Sequence, residues 1–120
     1  MTSAEDVPRI YLVCRSDLGL SPGKLGAQTF HAGTGLLARL PETARMAYMT
    51  DPRRRAICLR APSEAKLEKA RAAAEAAGLL YHLQIDGGHT EVPPDTPTVL
   101  AFGPVRRADL PKPLQRLQAL

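Results

Sequence analysis

The sequence predicts an α/β protein, a three-layer α/β/α sandwich on a four-stranded mixed sheet, with elements in the order β-α-α-β-α-β-β-α. Three observations carry this. Short apolar runs punctuated by glycine, proline or charge recur along the chain, around residues 9–15, 55–60, 80–85 and 98–102, and have the length of strands. Helical segments separate the first three runs and provide the crossovers that parallel strands require. The last two runs are joined by the stiff stretch 93–97, rich in proline, so the fourth strand is an antiparallel addition.

Each element has a local reason. Residues 1–8 read as a frayed lead, leaving residues 9–120 as one domain. Ile10, Leu12, Val13 and Cys14 form the nearly continuous apolar run of a buried central strand, 9–15. Ser21 followed by Pro22 gives an N-cap and a proline at the first helical position, starting a helix expected to run to about Arg39. Gly26, Ala27, Ala32, Gly33 and Gly35 should let that helix pack closely on the sheet. Pro41-Glu42 opens a shorter helix to about Met49, broken by Asp51-Pro52.

The second strand, 55–60, holds Ala56, Ile57, Cys58 and Leu59. Pro62 and Ser63 open a long helix through Ala77, whose run Ala72-Ala73-Ala74 favours helix and whose end is marked by Gly78. Strands at 80–85 and 98–102 follow. A terminal helix is expected over 111–120, with Pro111 and Pro113 tolerable only in its first turn.

Composition narrows the function classes. At 120 residues the chain is long enough for one core. Its hydrophobic fraction of 44% and charged fraction of 23% are ordinary for a globular protein. No apolar run approaches the ~20 residues of a membrane span. The polar start Thr2-Ser3-Ala4-Glu5-Asp6 is unlike a signal peptide, so a cytoplasmic location is expected. Cys14 and Cys58 lie inside strands and read as small buried hydrophobes rather than a disulfide, and the cysteines and histidines lack paired zinc spacing. The net charge of +4 and pI near 9.4 favour an acidic partner. Candidate basic groups are Arg53, Arg54, Arg55, Arg60, Lys66, Lys69, Arg71, Arg106, Arg107 and Arg116. With 4% aromatics, phosphate contacts suit this composition better than base stacking.

Two clusters are candidates for chemistry. Asp86 ends an apolar strand and is followed by Gly87 and Gly88; with Thr90 and Thr98 it should meet at one end of the sheet. Upstream, Lys24, Gln28 and His31 fall on one helical stripe, just after a strand ending Arg15-Ser16-Asp17. In an open α/β sheet, ligands bind beyond the carboxyl ends of parallel strands. Plainer roles are open to each. Asp86 suits an Asx turn, His31 a half-buried hydrogen bond and Lys24 a surface charge. A cation in the first helical turn opposes the helix dipole, however, and makes sense beside an anion, either Asp86 or a phosphate. Gly23-Lys24 is not a phosphate loop, because Gly19 is one residue too close and Leu25 replaces the required hydroxyl residue. No Ser-His-Asp order or nucleophile elbow is present to support covalent catalysis.

Taken together, Arg15, Asp17, Leu18, Gly23, Lys24, Gln28, His31 and Ala32, followed by Asp86, Gly88, Thr90, Pro94, Thr98, Leu100, Gly103 and Pro104, resemble in order and spacing the second type of peptidyl-tRNA hydrolase. The resemblance covers about residue 9 to the end. It departs at Pro22 and His89, where that family usually carries basic residues, and at Phe30, where it has a small one. The resemblance implies the same sandwich, usually as a homodimer, with tRNA as partner and no cofactor or metal. It implies Lys24, Asp86, Thr90 and Thr98 as the catalytic set, and Arg15, Gln28, His31, Gly88 and His89 as substrate-binding. Ester hydrolysis needs activated water and a donor for the developing oxyanion. Asp86 fits the first role and Lys24 the second, with the threonines holding water or carbonyl oxygens. A non-catalytic RNA- or protein-binding module on the same scaffold is the alternative, and activity on another ester or amide a third reading.

Overall fold

The computed structural model describes residues 6–88 and 91–120. Strand β1 (Arg9–Arg15) leads into α1 (Pro22–Arg39) and α2 (Glu42–Thr50), then β2 (Ala56–Ala61), α3 (Glu64–Ala76), β3 (Tyr81–Asp86) and β4 (Thr96–Val105). A 3₁₀ turn (Arg107–Asp109) and a single-turn α4 (Lys112–Gln115) follow. The four strands form one mixed sheet in the order β2-β1-β4-β3. β1 and β2 are parallel, and β4 runs antiparallel between β1 and β3. The carboxyl ends of β1, β2 and β3 therefore share one edge of the sheet, beside the start of β4.

Strand alternation builds a core on each face. Tyr11, Val13, Leu59, Leu100 and Phe102 point toward Leu67, Ala70 and Ala74 of α3 and Leu114 of α4. The Tyr11 and Phe102 rings stack, with centroids 5.3 Å apart. Ile10, Leu12, Cys14, Val99 and Ala101 point the other way, toward Ala32 and Leu36 of α1 and Leu40 beyond it. Every residue of β1 is buried, as its apolar run predicts. Both faces of this central strand thus remove apolar surface from water, which favours folding.

Helix starts follow their caps. The hydroxyls of Ser21 and Ser63 accept the backbone N–H of Lys24 and Lys66, satisfying donors that a helix start leaves without partners. Gly78, at φ +72 after α3, takes the left-handed conformation that glycine adopts without steric cost.

Four expectations change. The helix expected over 111–120 is only one turn long; beyond it the chain extends and lies along β2. Arg60 N–H bonds the Gln118 carbonyl, and Leu120 N–H bonds the Cys58 carbonyl. The open side of β2 offers those backbone groups, and pairing with them outcompetes a helix that carries two prolines near its start. Cys14 is fully buried, but Cys58 is exposed, because α1 packs mainly over β3 and β4 and leaves that face of β2 uncovered. Both cysteines are free thiols. Of the small residues in α1, Ala32 is buried and Gly35 meets the sheet. Ala27 is exposed, and Gly26 and Gly33 have open space where a side chain would stand. Strand β4 runs from Thr96 to Val105, longer at both ends than expected. Among the described residues, no helix is long and apolar enough to cross a membrane.

Candidate active site

The stripe on α1 brings two of its three polar residues to the end of β3. The Lys24 ammonium donates to Asp86 Oδ1 at 2.8 Å, with side chains only 14% and 7% exposed. One helical turn further, Gln28 Nε2 donates to the same oxygen at 3.3 Å. Asp86 Oδ2 accepts the Gly88 N–H at 2.9 Å, so the Asx turn and the ion pair coexist. The Asp86 carbonyl also accepts the Asp95 N–H, which closes the loop leaving β3. Cation and carboxylate thus meet away from bulk solvent, where charges interact more strongly than in water. Asp86 also answers the cation that would otherwise oppose the start of α1.

Gln28 is buried, and its other end is fixed by the fully buried Thr98, whose hydroxyl donates to Gln28 Oε1. The Gln84 carbonyl lies 3.3 Å from the same hydroxyl as an alternative acceptor for its one proton. Thr98 reaches Gln28 because β4 is irregular there. Gln84 pairs with Val99, and Ile85 pairs with Pro97, so Thr98 is the extra residue of a β-bulge. By regular alternation Thr98 would share the face of Leu100 and Phe102, toward α3. The bulge turns its hydroxyl toward α1 instead. Pro97, which has no N–H to give the ladder, sits at the irregularity where a strand tolerates it.

Arg15, at the end of β1, grips Asp17 with two hydrogen bonds of 2.8 Å and donates to the Pro97 carbonyl at 3.1 Å. Glu64 approaches the same guanidinium at 3.6 Å. The Arg15 hydrogen bonds hold the Asp17 carboxyl below its ordinary range. Arg15 thereby anchors the stretch of β4 just before Thr98.

Of the other expected site residues, Gly88 has φ +80, and a Cβ there would lie 2.4 Å from the Pro94 nitrogen, so glycine is required. His31 is exposed, its ring edge-on to Phe30. Its neighbour on α1, Ala32, takes the buried position instead. His89 and Thr90 lie outside the described residues. Glu91 was not anticipated: its carboxylate accepts the Ser21 N–H at 2.8 Å and the Ser21 hydroxyl at 2.6 Å. The hydroxyl, then the N–H, and the charge of Lys24 hold the Glu91 carboxyl below its usual range. The acidic side chain suits a helix start, but only the fold brings this loop to Ser21. The bulge did have a signal, in Pro97 immediately before Thr98.

Fold and cluster together define an α/β/α sandwich with a polar site shared by one helix start and two strand ends. Comparison with known proteins agrees. The family described as peptidyl-tRNA hydrolase PTH2 matches residues 9–120. The chain is 32% identical over 99 residues to a protein of Halobacterium salinarum named peptidyl-tRNA hydrolase, covering 82% of this chain and 88% of that one. It is 34% identical over 93 residues to a protein of the same name from Methanothermobacter thermautotrophicus, covering 78% and 82% respectively. A probable peptidyl-tRNA hydrolase 2 of Dictyostelium discoideum is 35% identical over 103 residues, 78% of this chain but 45% of that longer protein. This chain belongs to the peptidyl-tRNA hydrolase PTH2 family.

Proposed function

We propose that the protein hydrolyses the ester joining a peptide to the terminal ribose of tRNA. Water adds to the acyl carbon and the acyl–oxygen bond breaks, leaving a peptide carboxylic acid and a free ribose hydroxyl. The observation that carries this reading is the Lys24–Asp86 pair, braced by Gln28 and Thr98, at the carboxyl edge of the sheet. Asp86 orients the water, takes up its proton and returns it to the leaving ribose oxygen. Lys24 has three N–H donors and gives one to Asp86, and another serves the oxyanion that develops on the acyl oxygen. Gln28 fixes the rotation of Asp86, and Thr98 fixes Gln28. Thr90 holds water or the substrate carbonyl, and Gly88 lets the backbone approach the ligand. Arg15 acts through the Pro97 carbonyl, setting where Thr98 stands. His31, exposed on α1, and His89 bind tRNA phosphates.

The protein acts in the cytoplasm, where its substrate is made, and works as a homodimer. The exposed apolar side chains Phe30, Met46 and Met49, at 66%, 51% and 41% exposure, support self-association through the outer face of α1 and α2. Light scattering should give about twice the 13.0 kDa chain mass; a monomer at micromolar concentration refutes the dimer. The decisive assay is turnover of a defined peptidyl-tRNA by purified protein. Steady release of deacylated tRNA is expected, and a complete lack of release overturns the catalytic reading.

A further inference from the structure

The surplus positive charge is not spread evenly once the internal ion pairs are set aside. Arg15 is held by Asp17, Arg53 by Asp51, Arg71 by Glu68 and Glu75, and Arg106 by Asp109. Arg71 also donates to the Tyr81 hydroxyl and lies over that ring. These cations are neutralised within the fold. Other cations, among them Arg39, Arg45 and Arg107, bond backbone carbonyls instead of carboxylates. Arg60, Lys66, Lys69 and Arg116 likewise have no carboxylate within ion-pair distance among the described residues, and they are set apart by converging on one place.

These four side chains line two adjoining grooves of about 520 and 280 Å³ that share Lys66, Arg116 and Leu117. The grooves run between α3 and the segment after α4, along the outer side of β2. Arg60 is steadied by donating to the Gln118 side chain. Among the described residues, no carboxylate lines either groove. One end opens beside Ser16, the residue after Arg15 at the carboxyl edge of β1.

That edge also carries Asp86. From β3 to β2 the sheet steps across β4 and β1, about 14 Å at the usual strand spacing. A polyanion whose reacting end sits at Asp86 can therefore follow the carboxyl edge and enter the groove within a few nucleotides. A single phosphate ion would leave most of this elongated, four-cation channel unused. An extended phosphodiester backbone would match both its length and its charge.

We propose that the Arg60–Lys66–Lys69–Arg116 groove binds the tRNA backbone upstream of the 3′ end, as a second binding surface distinct from the site at Asp86. The inference rests on the reading that peptidyl-tRNA is the substrate. The groove sets affinity, whereas the chemistry stays with Asp86 and Lys24.

The test is the triple variant Lys66→Gln/Lys69→Gln/Arg116→Gln, beside a variant matched in charge away from the groove, Arg39→Gln/Arg45→Gln/Arg54→Gln. Thermal melts of both exclude unfolding. With full-length peptidyl-tRNA the groove variant should raise KM by roughly tenfold or more at about 0.1 M salt and leave kcat unchanged. It should also flatten the plot of log affinity against log salt by roughly 0.7–0.9 for each phosphate that the variant no longer neutralises. A short substrate bearing only the terminal nucleoside, too short to reach the groove, should be cleaved equally by wild type and variant. An unchanged KM and salt slope overturns the proposal, and so does an equal loss in the matched variant. If wild type cleaves no ester, the hydrolase reading falls. The groove is then judged on binding of deacylated tRNA, where equal affinity for wild type and groove variant, or no wild-type binding at low salt, refutes it.

Discussion

Gln28 and Thr98, 70 residues apart in the chain, are joined side chain to side chain directly beneath the Lys24–Asp86 pair. An uncharged bridge therefore links the extra residue of a bulged strand to the carboxylate on its neighbour. The amide has a polarity that matches its two ends: its NH₂ faces Asp86 and its oxygen faces the Thr98 hydroxyl.

Removing the charge at Asp86 should separate chemistry from binding. Asp86→Asn keeps the shape but cannot accept a proton, so single-turnover hydrolysis should fall by roughly 10²-fold or more. Affinity for tRNA should hold or rise slightly, since a negative charge is removed near an anionic substrate. The variant leaves Lys24 without its ionic partner, so melts are needed beside the rates. Hydrolysis at the wild-type rate would remove Asp86 from the mechanism.

Thr98→Val should cost stability and turnover together. It strips the donor from the buried Gln28 oxygen, and an unsatisfied buried acceptor costs about 1–3 kcal/mol. Thr98→Ser retains the hydroxyl and should recover most of the activity. Equal denaturant midpoints for Thr98→Val and wild type would show that the hydroxyl anchors nothing.

Gly35 is the close-approach point between α1 and β3, where an added Cβ would stand 2.5 Å from the His82 ring. Alanine gains about 1 kcal/mol of helix propensity over glycine, against about 1–3 kcal/mol for overpacking. Gly35→Ala should therefore destabilise on balance. The double variant Gly35→Ala/His82→Ala should regain stability relative to His82→Ala alone, with a coupling of about 1 kcal/mol or more. Simple additivity in urea titrations would rule out the steric account.

Cys58 should titrate near neutrality. Hydrogen bonding from the Cys14 thiol lowers its pKa to about 7, while the same interaction and burial push Cys14 up. In the resting state the Cys14 thiol donates to the Leu12 carbonyl at 3.6 Å, and it must turn from that acceptor to stabilise a Cys58 thiolate. The rate of Cys58 alkylation should rise with a midpoint near pH 7. In Cys14→Ala the midpoint should move up toward the ordinary ~8.5. Because the folded value is depressed, any stabilisation from ionised Cys58 is fully present above ~8.5 and is lost as pH falls through about 7. A midpoint unmoved by Cys14→Ala would contradict this pairing.

Much of the fold was legible because its signals are local. Ser21-Pro22 marks the start of α1, and the apolar run of β1 marks a strand buried on both faces. The spacing of Lys24 and Gln28 placed both on the side that meets Asp86. The same spacing put His31 on that stripe, yet it is exposed, since periodicity fixes a direction on a helix but not where the neighbouring sheet ends. Which face of β2 is covered depends on how α1 and α2 lie across the sheet, so the exposure of Cys58 could not be read from its neighbours. The extended segment at 117–120 required knowing that β2 is an outer strand. The Glu91 clasp on Ser21 joins exposed residues 70 positions apart, and no periodic pattern reports such an interaction.

The bulge at Thr98 also changes how this stretch tolerates change. Upstream and downstream of it, odd and even positions of β4 obey opposite rules about which layer they serve. Deleting Pro97 would restore an uninterrupted ladder and leave every nearby residue type acceptable for a strand, yet it would swing the Thr98 hydroxyl to the far layer and leave the Gln28 oxygen without its donor. The orientation of this part of the site is thus kept by a residue count, a single added position. It is vulnerable to a shift in reading register that no substitution at any one letter would reproduce.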